Sequence, residues 1–264
     1  DVVLGDNGQL TYVDNVLTNA ASTETALGDI DNIDAGEGDN IVIAGQGADV
    51  VTMGSGTDTV IGDNGEINYD LAGVMTSIRS TSTDQGGDDQ LEVGDGNNTI
   101  IGGFGNDKIT TGSGSDDILG DNGVIEYVNG DAVRLSTNDD EIATTGADEI
   151  DGGSGDNRIL AGLSGDGVTA LGGDDVVLGD NGEINYDLAG VIVSIHTHAA
   201  DKSGNDIIVI GSGNNRILAG AGDDSVTSGA GDDTLRGNNG ANTLTGNNGN
   251  DRLFGISGND TLNG

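Results

Sequence analysis

Aspartates recur through this chain at a spacing that suits metal binding. Asp49 and Asp58 stand nine residues apart, and acids return in the same frame at Asp89, Asp107, Asp116, Asp166, Asp175, Asp206, Asp224, Asp233, Asp251 and Asp260, with Asp31 and Asp148 in less regular stretches. Most follow a glycine-rich run, as in Gly45-Gln46-Gly47-Ala48-Asp49 and Gly54-Ser55-Gly56-Thr57-Asp58. Glycines turn the backbone tightly and leave its carbonyls accessible. A carboxylate beside such carbonyls is an oxygen-only donor set, which Ca2+ accepts because it takes six to eight oxygens in irregular geometry. The chain has no cysteine, and its two histidines, His196 and His198, share one segment, so the donors of a zinc or copper array are missing.

The elements that would position these acids are nine residues long. Ala44–Thr52 and Met53–Ile61 are successive nonapeptides; the frame restarts at 93, 102 and 111, again at 152, 161 and 170, and runs unbroken from 210 to the last residue. Position four is usually Gly, position six Asp or Asn, and position eight aliphatic. The aliphatic residue would point inward from a short strand, with the acid at the mouth of the following turn. This is the Gly-Gly-x-Gly-x-Asp-x-aliphatic-x pattern of calcium-binding β-helical repeats, and the chain resembles the repeats-in-toxin (RTX) family over most of its length. The resemblance implies an all-β parallel β-roll, multiple Ca2+ ions, a chain that stays unfolded where calcium is scarce, and type I export followed by folding outside the cell.

Composition agrees. Gly supplies 50 of 264 residues, Pro, Cys and Trp none, and only six residues are Phe or Tyr. No conventional aromatic core can be assembled, whereas thin stacked coils bury Val, Ile and Leu as ladders. Forty-six acids against eight Lys and Arg give a formal charge of −38. Acids that close repel within a Debye length of roughly 8 Å, so a folded array needs bound cations. The sign of the charge excludes nucleic acid. There is no apolar run long enough to cross a membrane and no secretory signal, so membrane insertion by this segment is not expected.

A longer period lies over the short one. Gly-Asp-Asn-Gly occurs at 5–8, 62–65, 120–123 and 179–182. Each copy opens an insert, and two of these, GDNGEINYDLAGVMTSI from Gly62 and GDNGEINYDLAGVIVSI from Gly179, are nearly identical. Alternation around Ile67 and Tyr69 reads as a strand with one buried face, Asp70–Gly73 as a turn, and Val74–Ile78 as a return strand. Counted as six nonapeptides plus four residues, a unit of about 58 residues returns every insert to the same side of the roll, three coils apart. Tyr12, Tyr69, Tyr127 and Tyr186 would then form a row about 14 Å apart. Each Tyr covers its own insert, or the row forms a lateral surface for self-association or a surface ligand. Residues 1–209 read as a decorated roll and 210–264 as a plain one, cut from a longer repetitive protein.

Position six is Asn at Asn40, Asn98, Asn157 and Asn215, which suggests that the insert interrupts one of two calcium rows there, leaving an incomplete site or a turn closed by side-chain hydrogen bonds. Thr52, Thr110, Thr169 and Thr227, once per unit, are too sparse for an ice-matching lattice. No Gly-x-Ser-x-Gly, His-Glu-x-x-His or phosphate loop is present, so no enzyme is expected. The sequence thus points to a calcium-binding structural or adhesive segment of a secreted or surface-anchored giant protein. Alternatives are the calcium-binding secretion and folding segment of a toxin or hydrolase, or a subunit of an extracellular filament.

Overall fold

The computed structural model describes residues 1–137, 146–198 and 204–264. They contain no helix and form three stacked sheets. Two are ten-stranded and parallel, and they make the roll: a central sheet running from Val2–Leu4 to Arg252–Ser257, and an outer sheet running from Asn32–Gly36 to Thr261–Asn263. The chain alternates between them, one nonapeptide to each strand-and-turn. The position-eight residues meet in register as two facing ladders, Val42, Val60, Ile100, Ile118, Ile159, Val177, Ile217 and Leu235 on the central sheet. Val51, Leu91, Ile109, Ile150, Val168, Ile208, Val226 and Leu244 oppose them from the outer sheet. These ladders are the first core.

The third sheet is built by the inserts. Each is an antiparallel hairpin: Gly8–Val13 with Val16–Ser22, Gly65–Tyr69 with Met75–Ser80, Gly123–Val128 with Asp131–Thr137, and Gly182–Tyr186 with Ile192–Thr197. The hairpins also pair with one another, so they join as one eight-stranded antiparallel sheet over the central sheet. Ile67, Ile78, Ile125, Leu135 and Ile184 descend from it onto Ile43, Ile61, Ile101, Leu119, Leu160 and Leu178, forming a second core. The central sheet is therefore buried on both faces, which accounts for its continuous aliphatic pairs such as Val60-Ile61 and Ile118-Leu119.

This arrangement corrects the three-coil spacing. Along the central ladder the steps from Val42 through Val60, Ile100, Ile118, Ile159, Val177 and Ile217 alternate between 18 residues and 40 or 41. One hairpin therefore falls in every second coil, always on the same side. Two coils and one two-stranded hairpin have the same width, ~9.5 Å at the usual strand separation, and this match lets the hairpins tile into a continuous sheet. The tyrosines are likewise two coils apart. Tyr69, Tyr127 and Tyr186 pack inward against the second core, while Tyr12 is 57% exposed. The Tyr127 hydroxyl and Thr99 Oγ1 are 3.0 Å apart, and the Arg158 guanidinium lies 5.0 Å from the Tyr186 ring centre. The outer surface of the insert sheet instead carries polar cross-strand pairs, Arg79 with Glu66 and Arg134 with Glu183. Thr52, Thr110, Thr169 and Thr227 also stand two coils apart on the outer sheet, separated by Glu92, Asp151 and Val209.

Candidate metal centre

Two rows of position-six residues run along the two edges of the roll. The first, where the chain passes from central to outer sheet, holds Asp31, Asp49, Asp89, Asp107, Asp148, Asp166, Asp206, Asp224, Asn242 and Asp260. Each of these backbone N–H groups, up to that of Asn242, donates to Oδ1 of the next member at 2.7–3.0 Å. The second row, on the opposite edge, is Asn40, Asp58, Asn98, Asp116, Asn157, Asp175, Asn215, Asp233 and Asp251, linked in the same way at 2.8–3.0 Å. Every sequence-derived candidate thus joins one of two continuous ladders.

One carboxylate oxygen is used in each ladder and the other is not. Oδ2 of Asp49, Asp58, Asp89, Asp107, Asp116, Asp148, Asp166, Asp175, Asp206, Asp224, Asp233 and Asp251 is buried without a hydrogen-bond partner. Leaving a buried polar atom unpaired costs about 1–3 kcal/mol, and more when it is charged, so twelve along two lines require a partner. Their surroundings are oxygen-rich. On the first edge a Cβ on Gly62 would collide with Asp89 Oδ2 and the Gly102 carbonyl; on Gly102, with Asp107 Oδ2 and the Gly120 carbonyl; on Gly120, with Asp148 Oδ2 and the Ala161 carbonyl. Among the described residues no three Asp, Glu or His side chains converge on one point. Any ion held here takes most of its ligands from turn carbonyls, with carboxylates supplying the charge, and that mixed donor set suits Ca2+.

The two edges differ electrostatically. On the first, burial raises Asp49 to about 6, Asp148 to about 7, Asp89 and Asp206 to about 8 and Asp166 to about 9. Asp107 is pushed well above its ordinary value by burial and then by Asp148, Asp89 and Asp63. On the second edge Asp175 rises to about 6, and Asp58 and Asp116 are raised, in each case by burial opposed by hydrogen bonds from the neighbouring Asn.

The asparagines explain the milder edge. Asn98 Nδ2 donates to the Gly94 and Gly96 carbonyls at 3.0 and 3.2 Å, and Asn215 Nδ2 to those of Gly211 and Gly213 at 3.3 and 3.2 Å. Asn40 binds the Gly36 and Gly38 carbonyls, and Asn157 that of Gly152. These turns are closed by amides, as the sequence suggests. The proposed cause is corrected, because the hairpins leave from the first edge and the asparagines stand on the second, each in the coil that follows a hairpin.

A group that sequence reasoning missed is the Asp of Gly-Asp-Asn-Gly itself. Asp6 Oδ2 accepts from Gln46 N at 2.6 Å, Asp63 accepts from Gly87 N and Phe104 N, and Asp121 accepts from Gly146 N and Leu163 N. These carboxylates tie the base of each hairpin to the roll, and Asp63 is pushed well up by burial and by Asp89. The signal was its identity in all four copies. The pair His196 and His198 lies on the last hairpin with ring centres 4.9 Å apart, His196 Nε2 being 3.7 Å from Glu183 Oε1.

A search of curated proteins finds no match to this chain. The RTX calcium-binding nonapeptide repeat matches at residues 25–60, 85–123, 136–168, 202–235 and 236–264, which together make up more than half the chain and include most of both ladders. With its parallel roll, its glycine turns and its buried Asp rows, the chain belongs to the family of RTX calcium-binding nonapeptide repeats.

Proposed function

We propose that this chain is a calcium-stiffened structural or adhesive segment of a secreted or cell-surface protein. The carrying observation is the double line of buried, partnerless Oδ2 atoms. Asp31, Asp49, Asp89, Asp107, Asp148, Asp166, Asp206, Asp224 and Asp260 would hold ions on the first edge, and Asp58, Asp116, Asp175, Asp233 and Asp251 on the second, each together with turn carbonyls. Bound Ca2+ supplies positive charge to rows that otherwise repel. Without it, a chain of net charge −38 and few large apolar residues favours the expanded state, so binding free energy becomes folding free energy. This fits export of an unfolded chain by a type I route and folding at extracellular calcium.

The insert sheet favours a load-bearing role over a segment that only times folding. Timing needs the roll, whereas the hairpins add a second core and interlock successive coils across their seams. Single-molecule pulling tests this reading. In millimolar calcium the chain should resist extension and unfold in steps, and in chelator it should extend without features; equal curves in the two conditions would refute the mechanical role.

A further inference from the structure

The insert sheet ends before the roll does. Among the described residues its last strand, Ile192–Thr197, pairs only with Gly182–Tyr186. Its counterpart Met75–Ser80 is paired on both sides, with Gly65–Tyr69 and with Gly123–Val128. His198 N donates to Asn181 O at 2.7 Å, and since antiparallel pairing alternates by residue up to the bulge at Val193, the N–H groups of Ile195 and Thr197 point away from the sheet. Beyond this open edge the central sheet continues for two more strands, Thr234–Asn239 and Arg252–Ser257, the width of one hairpin.

That uncovered shelf differs chemically from the covered part. Beneath the hairpins the outward ladder is aliphatic as far as Leu178 and Leu218; it then continues in register as Arg236 and Phe254. The parallel ladder continues as Arg216, Thr234 and Arg252. Arg236 and Arg252, two of the chain's eight Lys and Arg residues, therefore stand on this shelf, and Arg216 stands next to it on the last covered strand. Although the chain carries 46 acids, none of the three makes an ion pair within 4 Å among the described residues, Arg252 acting on Asp232 only from farther away. Arg236 lies 5.1 Å from the Phe254 ring centre, and Phe254 and Ile256 are 42% and 62% exposed.

We propose that this edge and shelf form a docking site for an acidic, extended strand of another polypeptide. Such a strand would add to Ile192–Thr197 by backbone hydrogen bonding, as the chain's own hairpins add to one another, and would place acidic side chains over Arg236 and Arg252. A second copy of this chain is the wrong occupant. Its hairpins present aliphatic undersides that would bury the arginines unpaired, and they already sit on their own central sheet.

The test uses the calcium-loaded chain and an acetylated octapeptide alternating valine and glutamate, with hydrogen exchange as the readout. Exchange at Ile195 and Thr197 should slow by about tenfold or more when the peptide binds. Arg236→Glu/Arg252→Glu, whose exposed sites leave the calcium-induced circular dichroism unchanged, should abolish the protection. Ile195→Pro, which removes one outward donor, should do the same. No protection, or equal protection in Arg236→Glu/Arg252→Glu, overturns the proposal. So does heparin binding to the arginines with no slowing at the strand edge, which would make the shelf a polysaccharide site.

Discussion

Asn98 and Asp116 are successive members of one ladder, the Asn98 backbone N–H donating to Asp116 Oδ1 at 2.8 Å, yet they resolve their turns in different ways. Asn98 fills its own turn with an amide bonded to two glycine carbonyls, and Asp116 leaves Oδ2 buried without a partner. The amide occupies carbonyls that would otherwise face an ion. Asn98→Asp should therefore create a site. Ion counting after equilibrium dialysis should show one more Ca2+ per chain, and in chelator the variant should be less stable by about 1–3 kcal/mol. An unchanged count would show that the amide does not stand in for an ion.

The first edge should respond to neutralisation with opposite signs in two conditions. Asp166, raised to about 9 by burial and by Asp148, is the most strongly shifted acid with a resolved value. Asp166→Asn removes a carboxyl that the folded chain must either bury charged or protonate on folding, so the melting temperature in chelator at neutral pH should rise. The same change removes a ligand, so the calcium midpoint should move several-fold higher. A fall in chelator would contradict the crowding of that row.

Proton dependence follows from the same groups. Their folded values, from about 6 at Asp49 and Asp224 through about 8 at Asp89 and Asp206 to about 9 at Asp166, lie above the unfolded value near 4. A raised folded value contributes stability below the unfolded value and loses it as pH rises through the folded one. Metal-stripped protein should thus be most structured near pH 4 and lose structure between about pH 6 and 9. Calcium competes with protons for the same oxygens, so its midpoint should fall over that interval. Thermal melts of stripped and calcium-loaded protein across the range check both trends.

Beneath the third and fourth hairpins, Arg158 Nη2 contacts Asp117 Oδ2 at 2.6 Å, the carboxylate buried and the guanidinium partly exposed. Burial raises Asp117 to about 6 against the opposing pull of Arg158. Arg158→Met strands this carboxylate and should cost about 3–5 kcal/mol in calcium at neutral pH. Adding Asp117→Thr, the residue type found at Thr59 and Thr99 on the same ladder, should recover most of the loss. Denaturant titrations of the single and double variants read this directly.

The roll was legible because position six and position eight each do one job in every repeat. The insert sheet was half legible. Alternation around Ile67 and Tyr69 showed the hairpins, but dividing a 58-residue unit by nine hid the true division into two coils and one hairpin. The second core had a signal in position nine. On central strands that position is Ile61, Ile101, Leu119, Leu160 and Leu178, and on outer strands Thr52, Glu92, Thr110, Asp151 and Thr169. Such a two-repeat alternation marks a sheet buried on both faces. What no local pattern gave was which edge each acid occupies, because that depends on where the hairpins leave the roll.

The central claim is that calcium bound along the Asp ladders folds the chain. Far-UV circular dichroism at pH 8, from EGTA to about 10 mM calcium with magnesium as control, tests it over the weak affinities of extracellular sites. The expected result is a cooperative coil-to-β transition with calcium and none with magnesium. A chain already folded in EGTA at that pH, or still disordered at the highest calcium, would contradict it.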